Sequence, residues 1–475
     1  MYINGKWIKT DKTLKVKSPA THEIVTEVPL GDASHVQKAI DAADENFPVW
    51  SKLVAQERSN ILFSIAEKMT EKKEDLASMI TREMGKPIGD SLGEVQQSID
   101  YFRWYSEEAK RVYGETIPSS SMEKRIMVIK QPIGVVGAIT PWNFPISMLA
   151  RKLGPALAVG CTVVVKPASQ TPQCAIELFK LFEEAGVPAG VLNLVIAKAS
   201  VVSETFMNSP KVRKITFTGS TPVGKRLIEG SAKTVKRVSM ELGGHAPFIV
   251  FDDADIEGAI DGLLRTKFRC SGQMCTSTNR IYVQSSIVDS FSQKLAKRVS
   301  GLKAGNGFDE DATVGPLVDE QAIEKVESQV NDAKKKGANV LVGGERLIGS
   351  GYDNGNFFMP TVLNEVKEGM QIYTDETFGP VAPIISFESE EALLEKVNHE
   401  QYGLASYAYT NDMSRIIRIT EAMEYGMIGV NDPLPFTVQA PFGGVKESGM
   451  GREGGHHGLN DYLEEKMVSV KFKVR

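Results

Sequence analysis

The sequence has few of the residues that build metal or disulfide sites. Only four cysteines and six histidines occur in 475 residues, and no CxxC pair or histidine cluster has the spacing of a zinc site. Four cysteines are too few for a disulfide framework in a chain of this length. We therefore predict no metal site, and thiols that remain free for chemistry.

Long apolar runs are also absent. No stretch reaches the roughly 18 uninterrupted apolar residues of a membrane helix, and the first residues alternate apolar and polar side chains instead of forming the apolar core of a signal peptide. Internal repeats and low-complexity tracts are lacking too. The formal net charge of −5 disfavours a general nucleic-acid surface. These features predict a cytoplasmic protein that binds neither membranes nor nucleic acids.

What the chain does have is length and apolar content. Its 475 residues, 42% of them apolar, suffice for roughly three domain-sized units. Buried-strand patterns alternate with helical segments, and the strands fall at residues 133–140, 162–167, 190–195 and 214–218. Such a βαβ series predicts an α/β fold with a doubly wound, Rossmann-like sheet of the dinucleotide-binding type.

Helical patterns precede this series. Apolar residues between Asp32 and Phe47 recur at helical spacing, with Asp32 or Ser34 as the N-cap. A later helix is predicted to stop in the segment 83–87, Glu-Met-Gly-Lys-Pro, because glycine and proline end helices. We interpret these helices as packing elements.

A second α/β domain is predicted after residue 241, with a strand at 247–251, a helix through Ala259 and Leu263, and an amphipathic helix at 318–336. Glycines at 343–344 and 349–355 indicate surface loops. Residues 125–130 and 468–474 alternate like strands with one solvated face. These two are either simple edge strands or surfaces that pair with another chain.

A turn that could hold a phosphate follows the strand at 214–218. Its two glycines, Gly219 and Gly224, let a backbone turn approach a phosphate, and the next helix directs free N–H groups there. A GxxxxG turn alone is a weak signal, since most such turns bind nothing.

Cys275 is the candidate nucleophile. Cysteine is the most nucleophilic side chain near neutral pH, although a free cysteine is more often a small buried hydrophobe. Glu241 stands 34 residues upstream in Met-Glu-Leu-Gly-Gly, beside two glycines that leave room for another backbone or a ligand.

Both segments resemble the aldehyde dehydrogenase superfamily, which carries its active-site glutamate in Glu-Leu-Gly-Gly and its nucleophile in Gly-Gln-x-Cys. The resemblance covers essentially the whole chain. It implies a dinucleotide-binding domain at 1–112 and 133–243, a catalytic domain at 244–458, and a bridging, oligomerising β element at 113–132 and 459–475. Through this element the chain would form a homodimer or homotetramer.

The resemblance assigns a role to each catalytic residue. Cys275 would add to the aldehyde, Glu241 would activate the water that hydrolyses the thioester, and Asn143 would stabilise the oxyanion together with the Cys275 backbone N–H. Without the family, Asn143 before Phe-Pro is better explained as a turn residue.

The resemblance also implies an NAD(P) site. Lys166 and Ser169 would lie at the adenosine ribose, Gly219 and Ser220 at the diphosphate, and Glu376 at the nicotinamide ribose. A glutamate at position 169 would repel a 2′-phosphate; serine does not, so we predict NADP, with NAD as the alternative. The full predicted set is Thr140, Pro141, Trp142, Asn143, Lys166, Pro167, Ala168, Ser169, Gly219, Ser220, Leu242, Glu376 and Phe378.

Stretches 107–114 and 326–333 look like the succinate-semialdehyde dehydrogenase branch. In that branch two arginines hold the substrate carboxylate, and they match Arg151 and Arg269 here; the alternative is two structural salt bridges. The branch carries a serine where this chain has Phe436, and an aromatic ring there would narrow the pocket. Ser277 replaces the second cysteine of some relatives, which disfavours a local disulfide switch.

Three alternatives to a dehydrogenase for succinate semialdehyde stay open. The substrate could be a less polar aldehyde, as Phe436 allows. The thioester could pass to coenzyme A, although Glu241 as a hydrolytic base argues against this. The chain could also be a binding protein without catalysis, which the set of Cys275, Glu241 and Asn143 disfavours.

Overall fold

A computed structural model describes residues 1–349 and 351–473 of the chain. Ser350, in the predicted loop at 349–355, and residues 474–475, at the end of the predicted C-terminal strand and bridging element, lie outside the described residues.

In the first half of the chain a run of helices precedes a series of alternating strands and helices, as expected. Its elements are β1 (Tyr2–Ile3), β2 (Lys6–Trp7), β3 (Thr13–Lys17), β4 (Ile24–Pro29), α1 (Ala33–Trp50), α2 (Ala55–Glu71), α3 (Lys73–Met84), α4 (Ile88–Glu108), β5 (Glu115–Ile117), β6 (Lys124–Pro132), β7 (Val135–Ile139), α5 (Ser147–Val159), β8 (Thr162–Lys166), α6 (Pro172–Glu184), β9 (Leu192–Leu194), α7 (Ala199–Asn208), β10 (Val212–Thr218), α8 (Thr221–Ser231) and β11 (Arg237–Glu241). Asp32 caps α1 and Gly85 ends α3 in a left-handed conformation, as predicted.

The second half has the same character. Its elements are β12 (Ala246–Val250), α9 (Ile256–Lys267), β13 (Thr278–Gln284), α10 (Val288–Val299), α11 (Glu320–Lys335), β14 (Asn339–Val342), β15 (Thr361–Asn364), α12 (Gln371–Thr374), β16 (Val381–Phe387), α13 (Glu390–Asn398), β17 (Tyr402–Gly403), β18 (Ala405–Tyr409), α14 (Met413–Ala422), β19 (Met427–Val430), β20 (Val445–Lys446), β21 (Gly449–Met450), α15 (His457–Asn460) and β22 (Leu463–Lys471).

The first large sheet has the predicted doubly wound core. Its strand order is β2-β1-β9-β8-β7-β10-β11-β21, and the five strands from β9 to β11 run parallel. Ile139 lies opposite both Lys166 and Phe217, and Thr218 lies opposite Glu241. The carboxyl ends of these strands therefore share one edge, where ligands of such sheets bind.

The second large sheet has the order β14-β15-β16-β13-β12-β18-β19. Strands β12 and β13 are parallel, and Ala246 pairs with Thr278 at their amino ends. Gly244 and Cys275 directly precede these two strands. The amino edge of this sheet therefore faces the carboxyl edge of the first one, and the candidate residues come from the segments between them.

A separate three-stranded sheet has the order β22-β6-β5. Strands β6 and β22 pair antiparallel from Pro132 with Leu463 to Lys124 with Lys471. The two strands predicted at 125–130 and 468–474 thus pair with each other, and the second begins earlier than its alternation indicated. The apolar side chains Met467 and Val470 of β22 and Phe472 just after it are exposed. Among the described residues, no helix is both long and apolar enough to cross a membrane.

Candidate active site

Cys275 lies in a turn where two cavities meet. The larger has a volume of about 310 Å³ and the smaller about 60 Å³. Cys275, Phe144 and Met148 line both. A sulfur in this position reaches a ligand in either cavity.

The loop before Cys275 is fixed by buried polar contacts. Gln273 is fully buried; its Nε2 donates to Pro316 O (3.2 Å), and its Oε1 accepts from Val318 N (2.9 Å). Gly272 has a φ of +72°, and a Cβ there would lie 2.2 Å from Gly379 O. The Gly-Gln-x-Cys motif therefore joins the nucleophile segment to the loops around residues 317 and 379.

The glycines after Glu241 allow the close approach that the sequence predicted. A Cβ on Gly244 would lie 2.4 Å from Cys275 O, which leaves no room for a side chain. Gly244 N donates to Glu376 Oε1 (3.0 Å), and Gly243 also faces that carboxylate. Three predicted site segments meet here through backbone contacts.

Glu241 ends β11 and is buried. Its Oε2 has no hydrogen-bond partner among the described residues. Burial raises the pKa of this carboxyl well above its ordinary value, and the charge of Glu453 raises it further, against the opposing effects of Lys152 and Arg151. Glu241 is not among the residues that line either cavity; its Oε1 faces Gly443 instead.

The thiol of Cys275 is neutral at neutral pH in this arrangement. Burial raises its pKa to about 12, with a further increase from the charge of Glu241 and an opposing effect from Arg151. This environment favours the thiol over the thiolate, so a base must take the proton before the sulfur reacts as a thiolate.

Asn143 lines the larger cavity together with Cys275. Its Nδ2 donates to the backbone oxygen of Gln273 (2.9 Å), and the backbone carbonyl of Asn143 accepts from Lys86 Nζ (2.6 Å). An amide NH₂ carries two hydrogens, so one remains for another acceptor. These contacts fix the predicted oxyanion donor in the wall of the cavity that Cys275 also lines.

The larger cavity collects most of the predicted cofactor residues: Pro141, Trp142, Asn143, Gly219, Ser220, Leu242, Glu376 and Phe378. Thr218 and Thr377 also line it, and their buried hydroxyls have no partner among the described residues. Ser220, the N-cap of α8, makes no side-chain capping bond there. Unpaired donors at a helix N-terminus fit the phosphates and riboses of a dinucleotide.

The other predicted cofactor residues lie next to one another outside this cavity. Thr140 N donates to Lys166 O (3.1 Å) at the shared strand edge, and Pro167 and Ala168 are buried just beyond. Ser169 is exposed in the following turn. Burial alone lowers the pKa of Lys166 to about 8.

Gly224 corrects the predicted phosphate turn. Helix α8 begins at Thr221, so Gly224 lies inside the helix and not in the turn. A Cβ at this position would lie 2.4 Å from Leu242 Cδ2. The glycine serves the packing of α8 against the Glu-Leu-Gly-Gly segment, and only Gly219 belongs to the turn.

The start of α11 contributes residues that the sequence analysis missed. Val318, Asp319, Ala322 and Lys325 line the larger cavity. The pattern predicted this helix correctly, but amphipathicity alone does not tell which end faces a ligand. No sequence signal singled out Lys325.

The smaller cavity contains both predicted substrate arginines, together with Gln97, Phe144, Met148, Thr266, Met274, Cys275, Thr276, Tyr407, Pro433, Leu434, Phe436 and Phe442. Arg151 is buried, with its guanidinium 4.0 Å from the ring centre of Phe442, and its Nε and Nη1 have no acceptor among the described residues. Arg269 instead pairs with Asp90 (3.3 Å). Asp90 thus engages Nε of Arg269, which lines the same cavity, whereas the buried Arg151 has nitrogens without an acceptor among the described residues.

Phe436 lines the smaller cavity. Its ring packs edge-on against Phe442, with the centroids 5.6 Å apart. All four cysteines are free. Among the described residues, no group of three His, Cys, Asp or Glu side chains could hold a metal ion.

Known proteins match this arrangement along almost the entire chain. The profile of the aldehyde dehydrogenase family matches residues 7–468. The glutarate-semialdehyde dehydrogenase of Pseudomonas putida is 49% identical over 471 residues, which cover 99% of this chain and 97% of that protein. The NADP(+) succinate-semialdehyde dehydrogenase GabD of Escherichia coli is 47% identical over 470 residues, which cover 98% and 97%.

A solved structure agrees in fold as well. The crystal structure of succinate-semialdehyde dehydrogenase from Burkholderia pseudomallei has a TM-score of 0.97 and 47% identity, and the match covers 99% of this chain and 97% of that one. The predicted α/β fold class is confirmed. The chain belongs to the aldehyde dehydrogenase family and is an oxidoreductase that acts on aldehydes with NAD or NADP.

Proposed function

We propose that this enzyme oxidises an aldehyde with a distant carboxylate to the dicarboxylic acid, with succinate semialdehyde as the leading substrate. Arg151 carries the proposal. Its buried side chain lines the smaller cavity, which Cys275 also lines. Two nitrogens of its guanidinium lack acceptors among the described residues. The carboxylate of a short aldehyde would supply those acceptors.

Cys275 is the proposed nucleophile. Its sulfur bonds to the aldehyde carbon while the C=O π bond breaks and the thiol proton passes to solvent, which produces a tetrahedral thiohemiacetal with a negatively charged oxygen. The second hydrogen of Asn143 Nδ2 and the Cys275 backbone N–H would donate to the oxyanion. Ser220, Glu376 and other residues of the larger cavity would hold NAD(P), which would supply an acceptor for the hydride of the thiohemiacetal carbon.

Glu241 is the proposed base for hydrolysis of the resulting thioester. Burial raises its pKa, which makes the carboxylate a stronger acceptor for a proton from water. The carboxyl faces Gly443, so it acts after rotating into the cavity or through an intervening water. Because Glu241 would activate water, the thioester would be hydrolysed in preference to passing its acyl group to coenzyme A.

Substrate length is set by the smaller cavity. The two relatives act on semialdehydes that differ by one methylene, as their names state, and Phe436 occupies space that a longer chain would need. We therefore place the four-carbon substrate first. A less polar aldehyde is the second candidate, because Phe144, Tyr407 and Phe442 give the cavity aromatic walls.

A panel of aldehydes with and without a terminal carboxylate tests this proposal. The wild-type enzyme should have a lower KM for the anionic members, and Arg151→Met should remove that advantage. Arg237→Met is the control, since Arg237 pairs with Glu464 on the surface. If the uncharged aldehydes have the lower KM in the wild-type enzyme, the proposal is wrong.

We propose NADP as the preferred cofactor, with NAD as the alternative. Lys166 has no carboxylate partner within the described part of the chain, and the residue at 169 is a serine, so a 2′-phosphate would meet a cation and no repulsion. Ser169→Glu should lower kcat/KM for NADP by about 100-fold and spare NAD. A wild-type enzyme that prefers NAD tenfold would overturn this preference.

We further propose the domain division 1–112 with 133–243, 244–458, and 113–132 with 459–475. The exposed apolar residues of β22 support a homodimer or homotetramer formed through the three-stranded sheet. Sedimentation of the wild type and of Met467→Glu would test it, because a charge in that contact should shift the population toward monomer. We expect a cytoplasmic location, which cell fractionation can check.

A further inference from the structure

The segment that carries Asn143 rests on a buried ion pair. Lys86 Nζ and Glu94 Oε2 are 2.7 Å apart, and both side chains are 0% exposed. Lys86 belongs to the Glu-Met-Gly-Lys-Pro segment, whose predicted role was only to end a helix. Glu94 lies in the second turn of α4.

Each partner of this pair also binds the segment 143–147. Lys86 Nζ donates to Asn143 O (2.6 Å) and lies 4.0 Å from the ring centre of Phe144. Glu94 Oε1 accepts from Ile146 N (2.8 Å) and Ser147 N (3.1 Å) at the start of α5. The pair therefore contacts the segment at both ends.

This geometry leaves the segment little freedom. Lys86 directs its ammonium to a carboxylate, a carbonyl and an aromatic face, which together satisfy its three hydrogens. Removing two charges from water is costly unless geometry and hydrogen bonds compensate. Here the compensating groups include the backbone on either side of the oxyanion donor, so movement of Asn143 would disturb the whole network.

We infer that Lys86 and Glu94 are positioning residues that fix Asn143 for the oxyanion of the thiohemiacetal. The Asn143 side chain donates to Gln273 O while Lys86 holds its carbonyl, so both sides of the residue are anchored. This inference rests on the proposed role of Asn143. It gives the Glu-Met-Gly-Lys-Pro segment a part in catalysis through Asn143, without contact with the substrate.

The test uses the double variant Lys86→Met/Glu94→Gln. It removes both buried charges together, which avoids an unpaired charge and preserves folding, and glutamine keeps an oxygen for the Ile146 and Ser147 N–H groups. We expect kcat to fall by about 10- to 100-fold, because small misplacements of a catalytic group have effects of this size. The KM for cofactor should change less than kcat, since Asn143 is the one predicted cofactor residue to which the pair is hydrogen-bonded within the described part of the chain.

Lys236→Met is the matched control. Lys236 is a buried lysine that donates to the carbonyls of Ser209 and Val212. It directly precedes the amino end of β11, whereas Glu241 lies at the carboxyl end of that strand. Its loss should lower Tm and leave kcat unchanged. An equal fall of kcat in this control would show that any lost buried lysine has the effect, and would overturn the inference.

The decisive comparison repeats the double substitution in an Asn143→Ala background. If the pair acts through Asn143, the double substitution should change kcat less than about twofold there, because coupled sites are not additive. Equal losses in both backgrounds, or no loss in the wild-type background, would overturn the inference alone. An Asn143→Ala variant with normal kcat would overturn the proposed role of Asn143 and this inference with it.

Discussion

The two cavities that meet at Cys275 are lined by different kinds of structural feature. The larger one is lined by strand ends, the start of a helix and glycines; Gly219, Ser220 and Gly243 belong to this lining. The smaller one is formed by large side chains from distant segments, including Arg151, Tyr407, Phe436 and Phe442. The shape of the larger cavity therefore follows from the fold, and the selectivity of the smaller follows from individual side chains.

This difference separates two parts of the function. A fold shared by many enzymes can keep one cofactor cleft while the aldehyde cavity changes, because substitutions in the smaller cavity leave the strand edges intact. Variants should therefore affect one cavity at a time, except at Cys275, Phe144 and Met148, which line both.

Cys275→Ala should have the largest effect, because it removes the atom common to both cavities. We expect turnover to fall by about 10⁶-fold, the scale of losing a covalent nucleophile. The dissociation constant for NADP, measured by fluorescence titration, should stay within a few-fold. Turnover that survives the substitution would exclude Cys275 as the nucleophile.

Glu241→Gln should separate the two chemical steps. Acylation needs the sulfur and the cofactor, so rapid mixing should still give a burst of NAD(P)H equal to one per active site. Steady-state turnover should fall by about 10²- to 10⁴-fold, since a general base is lost. Loss of the burst together with turnover would assign Glu241 to the first step instead.

Arg269→Leu should affect the smaller cavity only. We expect KM for succinate semialdehyde to rise by about 10- to 100-fold, because a hydrogen bond to a charged group contributes about 1.5–3 kcal/mol. Kinetics with an uncharged aldehyde of similar length should change little. Equal effects on both aldehydes would mean that Arg269 is structural, through its pair with Asp90.

The affinity for NADP should depend on pH through Lys166. Burial lowers the pKa of this ammonium to about 8, so the free protein carries the charge below that pH and loses it above. Proton loss removes the partner of the 2′-phosphate, and Kd for NADP should rise by up to about tenfold per pH unit above 8. NAD, measured in parallel over the same range, should show no such rise; identical profiles would rule out Lys166 as the phosphate partner.

Phe436→Ser should have the smallest effect, and it tests whether this ring in the smaller cavity limits the length of the substrate. Removing the ring opens space beside Phe442. We expect the preference for the four-carbon over the five-carbon semialdehyde, as a ratio of kcat/KM, to fall by about tenfold, the scale of one methylene in a pocket. An unchanged ratio would show that another residue limits substrate length.

The sequence predicted the strands whose ends line the larger cavity, for a physical reason. Runs of β-branched residues predict buried strands such as β7 and β8, and parallel strands bring their carboxyl ends to one edge of the sheet. Glycine motifs added the contacts at Gly244 and Gly272. The boundary of α8 was wrong because Gly224 looks the same in a turn as in a helix, and only packing against Leu242 distinguishes them.

The smaller cavity was less predictable. Family resemblance, not pattern, pointed to Arg151 and Arg269, and nothing in their spacing indicated that one pairs with Asp90 while the other has free nitrogens. Lys86 and Lys325 were missed for the same reason. The contacts of a long side chain depend on which distant segment folds over it, and this information is absent from local periodicity.

The acyl enzyme is the most direct test of the shared sulfur. Glu241→Gln protein, mixed with NADP and succinate semialdehyde and quenched within seconds, can be digested and analysed by mass spectrometry. We predict one succinyl group per chain, attached to Cys275. Turnover by the wild-type enzyme with no acyl group on this cysteine, or with the group on another residue, would contradict the proposed mechanism.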